Sequence, residues 1–202
     1  MLKISVLVSG GGTNFQSVID AVESGYIPEA KIVQVISSSP KAYALERGQK
    51  HGIPGYVVST KAYPDPKEKS ERILSLLKDK ETDLIVLAGY MSVVDESIIR
   101  EYRGKIVNIH PSLIPKFCGK GFYGKRVHEA VLAAGEKVSG ATVHYVDEGI
   151  DTGEIILQEQ VPVLEGDTPD TLAARVLEVE HKILTRAIRD IAMKHSCSSL
   201  QS

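Results

Sequence analysis

The run Ile4-Ser5-Val6-Leu7-Val8-Ser9-Gly10-Gly11-Gly12-Thr13-Asn14 decides the architecture. Residues 4–8 read as a short buried strand. Three glycines break it, and a helix opens near Asn14 with Phe15, Val18, Ile19 and Val22 on one face. Glycines between a strand and a helix let the backbone approach an anion, and the first helical N–H groups offer it a positive dipole end. Read as a plain turn, the same run uses Thr13 or Asn14 as the helix N-cap. A dinucleotide fingerprint needs a third glycine where this chain has Phe15, and an acidic residue where the second strand ends in Ser37-Ser38-Ser39. The turn therefore points to a phosphate rather than a dinucleotide.

Working outward, the strand–helix alternation continues. Strands are expected over residues 31–36, 56–58, 84–88 and 106–110, with helices over 42–51, 68–78 and 95–102. Continuous apolar strands separated by helices predict an α/β fold, an open and mostly parallel twisted sheet with helices on both faces. After Pro111 the pattern changes. A loop rich in Gly, Pro and aromatics at 112–124 precedes a helix at 126–134. Strands at 141–146 and 155–163 suggest an antiparallel addition in the C-terminal part. A long helix at 169–193 closes the fold. No repeat or linker divides the chain, so residues 1–195 are expected to form a single domain and 196–202 a flexible tail.

Composition narrows the function. The 202 residues are 43% hydrophobic and 25% charged, which excludes disorder as the main state. A net charge of −2 provides no basic field for nucleic acid or an anionic membrane, so neither is expected as a partner. Only Cys118 and Cys197 are present, too few for a disulfide framework or zinc site. The opening MLKISVLVSGGG is broken too soon by glycine to read as a signal peptide, and no apolar run approaches the ~20 residues of a membrane helix. A reducing, cytoplasmic compartment is the expectation.

Three segments carry chemistry. Asn108 and His110 are two apart on a strand and so share a face, at the carboxyl end where open α/β sheets place ligands. An Asn amide can donate to a developing oxyanion, and His can move a proton near neutral pH. Asp147, Glu148, Asp151 and Glu154 place four carboxylates in eight residues, without EF-hand spacing, so no metal is expected. Asp151 is the candidate partner for His110, where a nearby carboxylate would raise the imidazole pKa. His144 could face the same cleft and is kept as a supporting residue. His51, His128 and His195 read as helix-surface or helix-end positions, and Glu180 as part of a solvated helical face.

Taken together, SGGGTN at 9–14, LIVLAGYM at 84–91, NIHPSLIPKF at 108–117, ATVHYVDEGIDTGEIILQ at 141–158 and EVEH at 178–181 resemble the phosphoribosylglycinamide (GAR) formyltransferases of purine biosynthesis. The resemblance implies a Rossmann-like formyltransferase fold. It implies formyl transfer from 10-formyltetrahydrofolate to the amine of GAR, by direct attack and without a metal, in a monomer or homodimer acting on small molecules. Carried across, Gly12, Thr13 and Asn14 would hold the substrate phosphate and Glu180 would contact the ribonucleotide. His110 would polarise the tetrahedral intermediate, Asn108 would stabilise its oxyanion, and Asp151 would raise the His110 pKa. Met91, Ser92, Val93, Val94, Asn108, Asp147, Glu148, Gly149 and Ile150 would line the folate pocket.

The chain also departs from the family. Some relatives carry Arg where this chain has Ser92, and another arginine near folate becomes Lys67, which keeps the charge but loses the planar fork. The 117–124 loop is longer than in some relatives, and Lys116, Lys120 and Lys125 beside it could assist the phosphate or the folate tail. A methionyl-tRNA formyltransferase would be expected to add a C-terminal nucleic-acid-binding domain, and a formyltetrahydrofolate hydrolase an N-terminal regulatory one. A non-catalytic folate or phosphate binder would have no use for Asn108, His110 and Asp151 together.

Overall fold

The protein is described by a computed structural model covering residues 1–199. In chain order its elements are β1 (Leu2–Val8), α1 (Thr13–Glu23), β2 (Ala30–Ser37), α2 (Tyr43–Lys50), β3 (Gly55–Val57), α3 (Pro66–Asp79) and β4 (Leu84–Leu87). They continue with α4 (Glu96–Glu101), β5 (Ile106–His110), α5 (Lys125–Ala133), β6 (Val138–Tyr145), β7 (Ile155–Pro162) and α6 (Pro169–Ser199). The strands form one sheet in the order β3-β2-β1-β4-β5-β6-β7. Pairing is parallel from β3 through β5 and antiparallel from β5 to β7. The mostly parallel sheet with an antiparallel C-terminal addition is the fold anticipated above.

The central strands explain their position. All four residues of β4 are buried, and β1 is buried at every position except Lys3. Strands apolar on both faces need cover on both. One face packs Val6, Val8 and Val86 against Phe15 and Val18 of α1 and Leu172, Val176 and Leu184 of α6. The other packs Leu7, Ile36, Ile85 and Ile106 against Ile73, Leu76 and Leu77 of α3 and Ile98 and Ile99 of α4. Asp65 caps α3 by accepting from the Lys67 N–H, ahead of Pro66 in the first turn, and Asp95 caps α4 by accepting from the Ser97 N–H.

Two features position the site. Antiparallel pairing of β5 with β6 sets Asn108 opposite His144 and His110 opposite Thr142. The α6 helix runs 31 residues and returns Glu180 to the start of α1. It continues past the expected helix end at 193, through residue 199. No Gly or Pro interrupts the chain after Pro169, and Ser196 Oγ is within 3.2 Å of both the Ala192 carbonyl and the Glu29 carboxylate. Residues 200–202 of the expected tail lie outside the described residues.

Candidate active site

The glycine turn is built by its neighbours. Gly12 adopts the left-handed conformation at φ 71°, and a Cβ there would lie 2.6 Å from the Ala44 Cβ. On the α2 side, the Ala44 N–H donates to the Gly10 carbonyl at 3.1 Å and Arg47 Nε to the Gly11 carbonyl at 2.8 Å. Gly12 is the N-cap of α1, and no side chain caps the helix. Neither Thr13 nor Asn14 performs the capping the plain-turn reading gave them. The first-turn N–H groups stay available to an anion.

Instead, Asn14 Nδ2 donates to Glu180 Oε2 at 2.7 Å, and both side chains are buried. This corrects the solvated-face reading of Glu180. Burial raises the Glu180 pKa, and the Asn14 hydrogen bond works against that rise. Asn14 Oδ1 is buried without a partner. His181 does not serve as the polar partner of Glu180, and its own Nε2 is buried and unpaired.

A cleft of about 690 Å³ runs from Asn14 and Glu180 past the carboxyl ends of β4 and β5. Asn108, His110, His144 and Asp151 meet at its middle. Met91, Ser92, Val93 and Val94 line the far end, facing Asp147, Glu148, Gly149 and Ile150. Met91, Val93 and Ile150 are large exposed apolar side chains on this rim. Glu148 is engaged outside by Arg103, and Asp147 Oδ1 closes its own loop by accepting from the Gly149 N–H and the Thr152 hydroxyl.

Hydrogen-bond partners assign the ring nitrogens. His144 Nδ1 lies 2.8 Å from the Tyr145 carbonyl, which can only accept, so Nδ1 carries the proton. His144 Nε2 then accepts from Asn108 Nδ2 at 3.1 Å. This pins the Asn108 amide, whose second N–H has no protein partner among the described residues. His110 Nε2 donates to the Phe117 carbonyl at 2.9 Å, which leaves Nδ1 facing Asp151 Oδ2 at 3.7 Å. Asp151 Oδ2 accepts from the Gly119 N–H at 2.9 Å, and Oδ1 lies 3.6 Å from His144 Nε2.

The electrostatics differ from expectation at His110. Its pKa is lowered: burial outweighs the upward pull of the Phe117 hydrogen bond and of the Asp151 charge. The carboxylate acts in the anticipated direction and loses to desolvation. For Asp151, burial pushes upward, but the hydrogen bond from the Gly119 N–H helps bring the carboxyl below its ordinary value. The resting pair is a neutral imidazole beside an ionised carboxylate.

Several residues fall elsewhere than anticipated. Lys67 sits in the first turn of α3, exposed and 3.9 Å from Glu71, and is not part of the cleft wall. Gly12 and Thr13 precede Asn14 just outside that wall. Lys116 pairs with Glu136, Lys125 pairs with Asp170 at the cleft edge, and Lys120 lines the cleft. His128, read as a surface residue, is buried in the cleft wall with Nδ1 unpartnered, and burial lowers its pKa. The sequence did carry a sign of this. Val127 and Val131 mark the inner stripe of α5, and position 128 falls three residues before Val131 on the same side.

The chain belongs to the formyl transferase family, whose model matches residues 2–188. Its relatives carry narrower names. It is 42% identical over 189 residues to the phosphoribosylglycinamide formyltransferase of Haemophilus influenzae, covering 94% of this chain and 86% of that protein. The crystal structure of glycinamide ribonucleotide transformylase 1 from Symbiobacterium toebii superposes with a TM-score of 0.90 at 41% identity, covering 96% of this chain and 89% of that one. The trifunctional purine biosynthetic protein adenosine-3 of Drosophila pseudoobscura pseudoobscura is 44% identical over 191 residues. That match takes in 94% of this chain, which spans 14% of the trifunctional protein's length.

Proposed function

We propose that the protein transfers a formyl group from 10-formyltetrahydrofolate to the amine of GAR in de novo purine biosynthesis, with Asn108, His110 and Asp151 as its catalytic residues. The observation that carries this reading is the meeting of those three side chains, with His144 between them, in one cleft. Asn14 Oδ1, buried and without a partner, suits a ribonucleotide at one end, beside Glu180 and the open N–H groups of α1. Met91, Val93, Val94 and Ile150 suit a flat heteroaromatic ring at the other, and the folate bound there supplies the carbon at the formyl oxidation level.

The roles of the side chains follow from their hydrogen bonds. With one amide N–H held by His144, Asn108 directs the other at the formyl oxygen, where negative charge develops as the amine adds. His110 Nδ1 accepts the proton that the attacking nitrogen must lose and returns one to the departing folate nitrogen. No net proton is consumed. Asp151 offsets the imidazolium charge while His110 holds that proton. A positioned acid–base group and an oxyanion donor are each worth roughly 10²-fold or more in rate.

Seven strands in one sheet support reading residues 1–195 as one formyltransferase domain. Free thiols at Cys118 and Cys197 favour a cytoplasmic setting. The test is absorbance of deformylated folate in mixtures of protein, a formylfolate analogue and GAR. Product only when GAR is present supports the transferase. Product without it indicates a hydrolase, and no product under either condition overturns the reading.

A further inference from the structure

The glycine turn between β1 and α1 is held from behind by α2. Positions 44 and 47 lie three apart and share the side of α2 that meets the turn. The Ala44 N–H donates to the Gly10 carbonyl at 3.1 Å, and Arg47 Nε donates to the Gly11 carbonyl at 2.8 Å. Both peptides are trans, so each C=O and the N–H that follows it point in opposite directions. Drawing the two carbonyls towards α2 therefore turns the Gly11 and Gly12 N–H groups away from it. Among the described residues nothing accepts from either N–H. They run on into the uncapped first turn of α1, where Asn14, buried with Oδ1 unpartnered, lines the cleft. Successive N–H groups turned the same way form a concave site for an anion.

Arg47 contributes more than one hydrogen bond. Its Nη1 donates to Gln16 Oε1 at 3.1 Å, one turn into α1, and its guanidinium lies 5.0 Å from the centre of the Tyr43 ring. One half-buried side chain thus ties α2 both to the turn and to the helix that the turn starts. Two of its five N–H donors are spent, both on neutral acceptors. Among the described residues no carboxylate lies within ion-pair distance of it. A guanidinium keeps its proton at any working pH, so a full positive charge stands uncompensated behind the turn. The charge, the dipole end of α1 and the aimed N–H groups all favour the same kind of ligand, a phosphate dianion.

We propose that Arg47 is a positioning residue for the phosphate of the ribonucleotide substrate. By holding the Gly11 carbonyl it aims the Gly12 N–H, and its charge adds to the attraction for the dianion. The inference rests on the GAR reading given above and gives α2 a part in recognising that substrate. Lys at position 47 would keep the charge and lose the planar fork, and Met would keep only the stem.

The experiment is steady-state kinetics with GAR and with its dephosphorylated counterpart, which carries a 5′-hydroxyl. Arg47→Met is expected to lower kcat/KM for GAR about tenfold through KM alone, the loss of one charge-assisted hydrogen bond behind the turn. Its kcat and its KM for 10-formyltetrahydrofolate should stay within about twofold of the parent, and kcat/KM for the dephosphorylated amine should not change. Arg47→Lys is expected to recover part of the loss. Lys50→Met removes the other cation from the Tyr43 ring without touching the turn, and is expected to leave every constant unchanged. An equal loss on both amines, a loss in kcat, or no loss on GAR overturns the assignment of Arg47 while leaving the transferase intact. Where the parent does not formylate the dephosphorylated amine, the KM–kcat split on GAR and the recovery by Arg47→Lys decide. If the parent formylates neither amine, the GAR reading falls and this inference with it.

Discussion

Asn14 and Glu180, 166 positions apart in sequence, share a 2.7 Å hydrogen bond that ties the first turn of α1 to the middle of α6. The carboxyl is buried, and desolvation raises its pKa above the ordinary 4.5. A carboxyl whose folded pKa is raised binds its proton more tightly in the native state, so stability falls as pH rises from the unfolded value through the folded one. Glu180→Gln keeps an acceptor for Asn14 and removes the ionisable group. It is expected to be about 1 kcal/mol more stable than the parent at pH 7.5, with the gap closing towards pH 4.5. Affinity for GAR should fall at the same time. Urea titrations at the two pH values decide it, and a gap independent of pH would contradict the buried, ionising Glu180.

Histidines 110 and 128 act in the opposite sense. Burial lowers both pKa values below 6.5, so the unfolded chain takes up protons first as pH falls. Their contribution is fully present above 6.5 and is lost as pH drops through that value towards the folded pKa. Thermal unfolding should show the midpoint decreasing between pH 7 and pH 5. His128→Gln should make that slope shallower. An unchanged slope in the variant would show that His128 takes up its proton equally in both states.

Gly12 combines a positive φ of 71° with a position where a Cβ would lie 2.6 Å from Ala44 Cβ. Gly12→Ala is expected to cost about 2 kcal/mol, part from the left-handed backbone and part from the collision with α2. Adding Ala44→Gly should recover only the collision part. Full recovery in the double variant, measured by urea denaturation, would mean that the backbone conformation carries no cost.

The fold was legible because its signals are local. Apolar runs such as Leu84–Leu87, bounded by turns and helices, identify a buried parallel strand. Asn108 and His110 were legible from strand alternation, Asp151 from the acidic run that follows β6, and Glu180 from resemblance to a family. Long-range desolvation was not legible. That Glu180 is buried depends on α6 crossing α1, and the balance at His110 depends on how completely the loop around Phe117 covers it. The last helix was expected to end at 193 and continues through 199, because no Gly or Pro there breaks it.

The central claim is that the Asn108 amide, held by His144, serves the oxygen on which charge develops during transfer. The direct measurement is steady-state kinetics of Asn108→Ala with both substrates varied. The account predicts kcat lower by about 10²–10³-fold with each KM within about threefold of the parent. Turnover close to that of the parent, or a loss confined to KM, would contradict it.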